Sequence, residues 1–207
     1  VADTAEKFRE RGVGRLNKRF GVFLDRDGTI TEEAGYLTDS KRLKLIPGSA
    51  EAIALLNRFK IPAVVATNQA GVARGYFEEF MVKECNKKLK DMLGRLGAKL
   101  DAIYYCPHHP DVGIPPYRKN CDCRKPKPGM LLRAAKKFNL DLSKSYVIGD
   151  KATDLEVAAV VSVRPILVKT GYGLGEILYG RAKWKIKPIA VCENLFEAVS
   201  FIIDKEF

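Results

Sequence analysis

No stretch of this chain approaches the roughly 20 consecutive apolar residues that a membrane-spanning helix needs, so no transmembrane anchor is expected. The first residues, VADTAEKFRERGVGRLNKR, carry a charge every few positions and lack an apolar h-region. They do not read as a secretory signal, and the expected compartment is the cytoplasm. Cysteine is limited to five residues, an odd number, which together with the missing signal argues against a disulfide framework. Acid is in short supply: 25 Asp and Glu face 36 Lys and Arg, a net charge of +11. That imbalance favours anionic partners such as nucleic acid, anionic membranes or phosphorylated metabolites. The basic stretch 117–137 has no aromatic residue between Tyr117 and Phe138 at its edges, which counts against base stacking.

What is present is a core. Hydrophobic residues make up 46% of the 207, which excludes disorder of the whole chain and suits one α/β domain. Apolar runs at 22–24, 61–66, 100–105, 145–148, 165–169 and 189–192 read as strands. Helical spacing is expected over 49–59, 78–96, 129–138, 153–161 and 195–203. In 78–96 the predicted buried face is Phe80, Met81, Cys85, Leu89, Leu93 and Leu96. Six prolines make 106–128 a loop, and 171–187 is glycine-rich and then basic. Residues 1–19 read as a leader and 20–207 as a single domain. Strands alternating with helices predict a doubly wound parallel sheet, whose ligand site lies at the carboxyl ends of the strands.

Polar residues collect at those ends. Asp25-Arg26-Asp27-Gly28-Thr29 follows the first apolar run. Its two carboxylates can share one small site, one as nucleophile and the other handling a proton, with the N–H groups of Gly28 and Thr29 free for an anion. Thr67-Asn68-Gln69 ends the second run and offers a hydroxyl and amides to phosphoryl oxygens. Lys125 supplies a point charge for the same oxygens. Gly149-Asp150-Lys151, with Asp154 four residues beyond Asp150, offers a hard-cation ligand; Mg²⁺ needs one or two carboxylates besides phosphate and water oxygens. Three cysteines lie beside both histidines, in Cys106-Pro107-His108-His109-Pro110 and Cys121-Asp122-Cys123. This spacing suits tetrahedral Zn²⁺, with His108 and His109 competing for the nitrogen position. Four protein ligands leave no open coordination position, so the metal is structural.

These motifs in this order resemble the haloacid dehalogenase superfamily of aspartyl-phosphate phosphotransferases. The run Thr67-Asn68-Gln69-Ala70-Gly71-Val72-Ala73-Arg74-Gly75 and the cysteine loop with Arg124-Lys125-Pro126 are more specific. They resemble the D-glycero-D-manno-heptose-1,7-bisphosphate 7-phosphatases, whose close relatives are histidinol-phosphate phosphatases. The resemblance covers about residues 21–170. It implies a nucleophile at Asp25, an acid and base at Asp27, and transition-state contacts from Thr67 and Lys125. It places Mg²⁺ on Asp25, Asp150 and the Asp27 backbone carbonyl, and Zn²⁺ on Cys106, His108, Cys121 and Cys123. Glu33 and Tyr36 match a substrate-contact loop, although the family often has Asp where this chain has Glu33. Asn68, Gln69, Arg124 and Lys151 complete the expected substrate-binding set, with Arg124 gripping a second anionic group.

Spacing restricts the architecture further. Forty residues separate Asp27 from Thr67 and 58 separate Thr67 from Lys125, and core elements already use them. No room is left for a full cap domain, so the pocket should be open. The expected partner is a phosphorylated sugar, with the protein a monomer that engages neither nucleic acid nor membrane. Three other readings stay open at this level. A histidinol-phosphate phosphatase would bind a substrate carrying positive charge, which a basic pocket disfavours. The others are a DNA 3′-phosphatase and a zinc-containing nucleic-acid-binding protein.

Overall fold

The structure, a computed structural model, describes residues 18–207. Residues 1–17 of the expected leader therefore lie outside the described residues. Arg19 already bridges Leu140. Six strands follow: β1 (Val22–Leu24), β2 (Ala63–Asn68), β3 (Ala102–Cys106), β4 (Tyr146–Gly149), β5 (Arg164–Val168) and β6 (Ala190–Cys192). They form one sheet in the order β3-β2-β1-β4-β5-β6 with every pairing parallel. The doubly wound sheet expected from the alternating pattern is thus present. Among the described residues no helix is long and apolar enough to cross a membrane.

The reason β1 reads as an unbroken apolar run is its place in the middle. All three of its residues are buried, as parallel strands covered on both faces require. Val22 and Leu24 face a core layer with α1 (Ser49–Arg58), α2 (Glu79–Arg95) and α6 (Leu195–Glu206). Phe23 faces the opposite layer with α3 (Gly129–Phe138) and α4 (Ala152–Val161). The strand order reverses between β1 and β4, so the residues that follow these two strands meet at the switch point. The pairing Leu24↔Ile148 and the hydrogen bond from Asp25 N to Ile148 O (2.9 Å) set Asp25 beside the end of β4.

Some boundaries differ from the sequence reading in ways that matter for the site. β2 runs through Thr67 and Asn68 because these polar residues pair with Tyr105 and Cys106 of β3; its apolar run marks burial, not the end of the ladder. In α2 the buried face is Val82, Cys85, Asn86, Leu89 and Leu93. Phe80 and Leu96 are exposed, contrary to the predicted stripe. At about 100° per residue Phe80 falls on the far side from Val82, and Leu96 lies past the last turn as the C-cap. The glycine-rich stretch also holds helical turns: α5 (Gly173–Gly175), a π turn at Glu176–Gly180 and a 3₁₀ turn at Arg181–Lys183.

Candidate active site

The loop leaving β1 turns sharply, and Gly28 makes the turn possible. Its φ of +80° suits glycine, and a Cβ there would lie 2.1 Å from Asp150 Oδ2. The turn brings Asp25 and Asp27 to one pocket of about 330 Å³ that also contains Thr67, Arg124, Lys125 and Lys151. The N–H groups expected to await an anion are used within the turn instead. Gly28 N donates to Thr31 O at 2.7 Å, and Thr29 N reaches back to Arg26 O at 3.4 Å.

At the floor lies a buried cluster of charge. Lys125 Nζ donates to Asp25 Oδ1 at 2.9 Å and makes an ion contact of 2.5 Å with Asp154 Oδ1. Burial alone would lower the Lys125 pKa, but Asp154 and Asp25 outweigh it and hold the ammonium charged. Asp150 is fully buried, with Oδ2 accepting from Tyr172 N at 2.9 Å and Oδ1 without a partner. Burial pushes its pKa up to about 8; Lys151 opposes the rise, and the like charges of Asp25 and Asp154 add to it. One carboxylate oxygen from each of Asp25, Asp150 and Asp154 lies within 4.8 Å of the others. An orphaned buried oxygen in such a cluster fits a divalent cation, because added positive charge relieves both desolvation and repulsion. Asp154 thus joins the set as a contributor of charge, while its Oδ2 accepts from Lys151 N at 3.1 Å.

Two residues expected to contact substrate are occupied within the protein. The Asn68 amide clamps the Lys125 backbone, donating to its carbonyl at 3.1 Å and accepting from its N–H at 3.0 Å. Gln69 donates to Asp27 Oδ2 (2.8 Å) and Thr67 Oγ1 (3.0 Å) and accepts from Arg26 at 2.9 Å. They therefore hold Lys125, Asp27 and Thr67 in place. Arg26, which sequence reasoning passed over as a turn residue, is 1% exposed and forks onto the Asp27 carboxylate. Burial would raise the Asp27 pKa, but the Arg26 charge outweighs it and holds the carboxyl below its ordinary value. A charged residue between two aspartates at a strand end was the available signal.

The rim is made of loops. Glu33 Oε2 pairs with Lys151 Nζ at 2.9 Å, and Lys151 also lies over the Tyr172 ring at 4.4 Å. Tyr36 is exposed and packs edge-on against Tyr76 with ring centroids 4.5 Å apart. Arg124 donates to the His108 carbonyl at 3.3 Å.

The cysteine loop assembles as the spacing predicts. Cys106 Sγ lies 3.5 Å from Cys121 Sγ, and Cys121 Sγ lies 3.3 Å from Cys123 Sγ. His108 Nδ1 lies 3.7 Å from Cys106 Sγ and 3.5 Å from Cys123 Sγ. The edge of a zinc–thiolate tetrahedron is about 3.8 Å for bonds of roughly 2.3 Å, so the four atoms fit that ion. His109 is turned away, its Nδ1 accepting from Asp111 N at 3.1 Å. Burial pushes the Cys106 and Cys123 thiols up, so a cation is needed to hold them as thiolates. Glu79 ties this loop to α2 by accepting from Tyr117 at 2.9 Å and from Tyr105 of β3 at 2.7 Å. Gly113 approaches the Ala73 carbonyl so closely that a Cβ would lie 1.8 Å from its oxygen.

A family model described as HAD-hydrolase-like matches residues 122–198. The D-glycero-beta-D-manno-heptose-1,7-bisphosphate 7-phosphatase of Pasteurella multocida is 39% identical over 179 residues, 86% of this chain and 97% of that protein. Its counterpart in Escherichia coli K12 is 38% identical over 170 residues, 82% of this chain and 89% of that protein. Among solved structures, D,D-heptose 1,7-bisphosphate phosphatase from B. bronchiseptica, complexed with magnesium and phosphate, superposes with a TM-score of 0.79. It is 32% identical and covers 90% of this chain and 99% of that one. The enzyme of the same name from Burkholderia thailandensis has a TM-score of 0.65 and 27% identity, covering 89% of this chain and 99% of that one.

Proposed function

The chain belongs to the D-glycero-beta-D-manno-heptose-1,7-bisphosphate 7-phosphatase family of HAD-like hydrolases, and from that premise we propose that it removes the 7-phosphate of a heptose 1,7-bisphosphate through an aspartyl-phosphate on Asp25. The observation that carries this reading is the pairing of Asp25 and Asp27 in one pocket, with the orphaned Oδ1 of Asp150 buried in the carboxylate cluster that Asp25 shares with Asp150 and Asp154. An Asp25 carboxylate oxygen attacks phosphorus while the bond to the sugar oxygen breaks; Asp27, ionised beside Arg26 in the free site, takes up a proton as the anionic substrate binds and passes it to that departing oxygen. Water then attacks the phosphoryl group and gives its proton back to Asp27. The Asp25–phosphorus linkage breaks, and phosphate leaves. Thr67 and Lys125 line the pocket where charge develops on the transferring oxygens.

Asp25, Asp150 and the Asp27 backbone carbonyl would hold Mg²⁺, with Asp154 adding charge behind them. Bound there, the ion offsets repulsion between the carboxylates and the phosphoryl oxygens. Cys106, His108, Cys121 and Cys123 would hold Zn²⁺ and brace the loop that carries Arg124 and Lys125. Elemental analysis should find one zinc per chain, distinct from exchangeable magnesium. Cys123→Ser should lose it and reduce kcat/KM more than thermal stability. A zinc-free variant with full activity would show that the metal does not position Arg124 and Lys125.

A preference for two phosphates rests on the rim. Lys151 is already paired with Glu33, whereas the Arg124 guanidinium donates to a neutral carbonyl and keeps its charge for an incoming anion. Lys125→Ala should lower kcat most, because Lys125 acts at the reacting group. Arg124→Ala should mainly raise KM for a bisphosphate, by about tenfold to a hundredfold for a lost charge-assisted hydrogen bond of roughly 1.5–3 kcal/mol. A small monophosphate should barely register the Arg124 change. Equal losses on mono- and bisphosphate substrates would place Arg124 at the reacting centre instead.

A further inference from the structure

We propose that Arg26 is a positioning residue for the reaction, its buried guanidinium fixing which oxygen of Asp27 is left to exchange the proton. This rests on the acid and base role of Asp27 set out above. Arg26 Nε donates to Asp27 Oδ1 at 3.0 Å, and Nη2 donates to Oδ2 at 2.8 Å. The other faces of the guanidinium are held as firmly: Nη2 also reaches Gln69 Oε1 at 2.9 Å, and Nη1 reaches Asn86 Oδ1 on α2 at 3.0 Å. A planar fork anchored on three sides cannot rotate without abandoning a bond in a buried site.

The two oxygens of Asp27 are not equivalent under this clamp. Oδ2 accepts from both Arg26 Nη2 and Gln69 Nε2, each at 2.8 Å, so its lone pairs are taken. Oδ1 has one firm donor, Arg26 Nε. Its second neighbour is Thr31 Oγ1 at 3.3 Å, and that hydroxyl also lies 3.2 Å from the Arg26 carbonyl. One hydroxyl proton cannot serve both acceptors. Oδ1 therefore keeps acceptor capacity, on a side chain that lines the pocket. The clamp leaves one oxygen for the leaving group and the attacking water, and it presents that oxygen at a constant angle. A lysine at this position could keep the charge but could not grip both oxygens at once.

The test uses 4-nitrophenyl phosphate, whose leaving group needs no proton, beside D-glycero-D-manno-heptose 1,7-bisphosphate, whose sugar oxygens do. Turnover by the unaltered protein is measured first: absence of turnover on both substrates overturns the phosphatase reading itself, separately from the role of Arg26. Arg26→Met should then lower steady-state kcat on the order of 10²-fold, the low end for losing a general acid or base, with KM within about threefold of the original. On 4-nitrophenyl phosphate it should still give a rapid burst of nitrophenolate, because phosphorylation of Asp25 does not call on Asp27 while hydrolysis does. On the heptose bisphosphate both steps should slow. Arg26→Lys should restore thermal stability but recover kcat only in part. Should Arg26→Met fail to fold, Asn86→Leu releases the far side of the fork without touching the pocket, and kcat should fall about threefold to tenfold at constant KM. Full kcat in Arg26→Lys overturns the proposal. So does a loss confined to KM, burst and steady-state rates falling together, or an Asn86→Leu protein with unchanged kcat.

Discussion

Asp25→Asn should abolish phosphatase turnover, by on the order of 10⁴-fold or more as for other removed nucleophiles, and leave the fold as stable as before. Both halves follow from the same cluster. The amide is a poor nucleophile, so no phosphorylated intermediate can form. It still offers an oxygen to Lys125 Nζ in place of the 2.9 Å carboxylate contact. Lys125 also keeps its ion pair with Asp154. Removing one negative charge relieves the repulsion that helps push Asp150 upward, so the substitution does not leave an uncompensated buried charge. Steady-state rates and a thermal melt check the two halves together. A variant retaining a tenth of the original kcat would remove Asp25 from the nucleophile's role.

Asp27→Asn should behave differently on both counts. Loss of the acid and base should cost about 10²–10⁴-fold in turnover of alkyl phosphates. With 4-nitrophenyl phosphate the first step should survive and the second stall, so that a phosphorylated protein accumulates and intact-mass measurement detects it. Stability should fall as well, because Arg26, 1% exposed, loses the anion it grips with two bonds. The asparagine oxygen can replace only one of them. A penalty on the order of 1–3 kcal/mol follows for the imperfectly satisfied buried group, or a melting temperature several degrees lower in a domain of this size. If no phosphorylated protein could be trapped and stability were unchanged, neither the two-step route nor the clamp on Asp27 would stand.

The contrast between these variants shows what the sequence could and could not convey. A strand buried on both faces leaves an unbroken apolar run, so β1 and the Asp25 at its end are legible in one dimension. The cysteine loop is legible because its ligand types and spacing carry the tetrahedral requirement in themselves. The partners of amides are not. Whether Asn68 meets a substrate or the backbone of Lys125, 57 residues away, depends on how β2 and the zinc-binding loop meet in space. Gln69 and Arg26 are hidden for the same reason: 43 residues separate them, and each satisfies a group whose need appears only once it is buried. The turns at 173–183 escaped because Gly173, Gly175 and Gly180 mask helical propensity. That helical conformation is held by contacts, including Glu176 accepting from Ala152 N at 3.2 Å and from Trp184 Nε1 at 3.3 Å.

Phosphorus NMR of the reaction products distinguishes the heptose 1,7-bisphosphate from the other candidate substrates and shows which phosphate leaves. The purified protein is given D-glycero-D-manno-heptose 1,7-bisphosphate in each anomeric form with Mg²⁺, in parallel with histidinol phosphate, fructose 1,6-bisphosphate and a 3′-phosphorylated oligonucleotide. The heptose bisphosphate should turn over with the highest kcat/KM. Its 7-phosphate signal should be replaced by inorganic phosphate while the anomeric phosphate persists. Prior loss of the anomeric phosphate, or a higher kcat/KM on histidinol phosphate or the oligonucleotide, would contradict the proposed function.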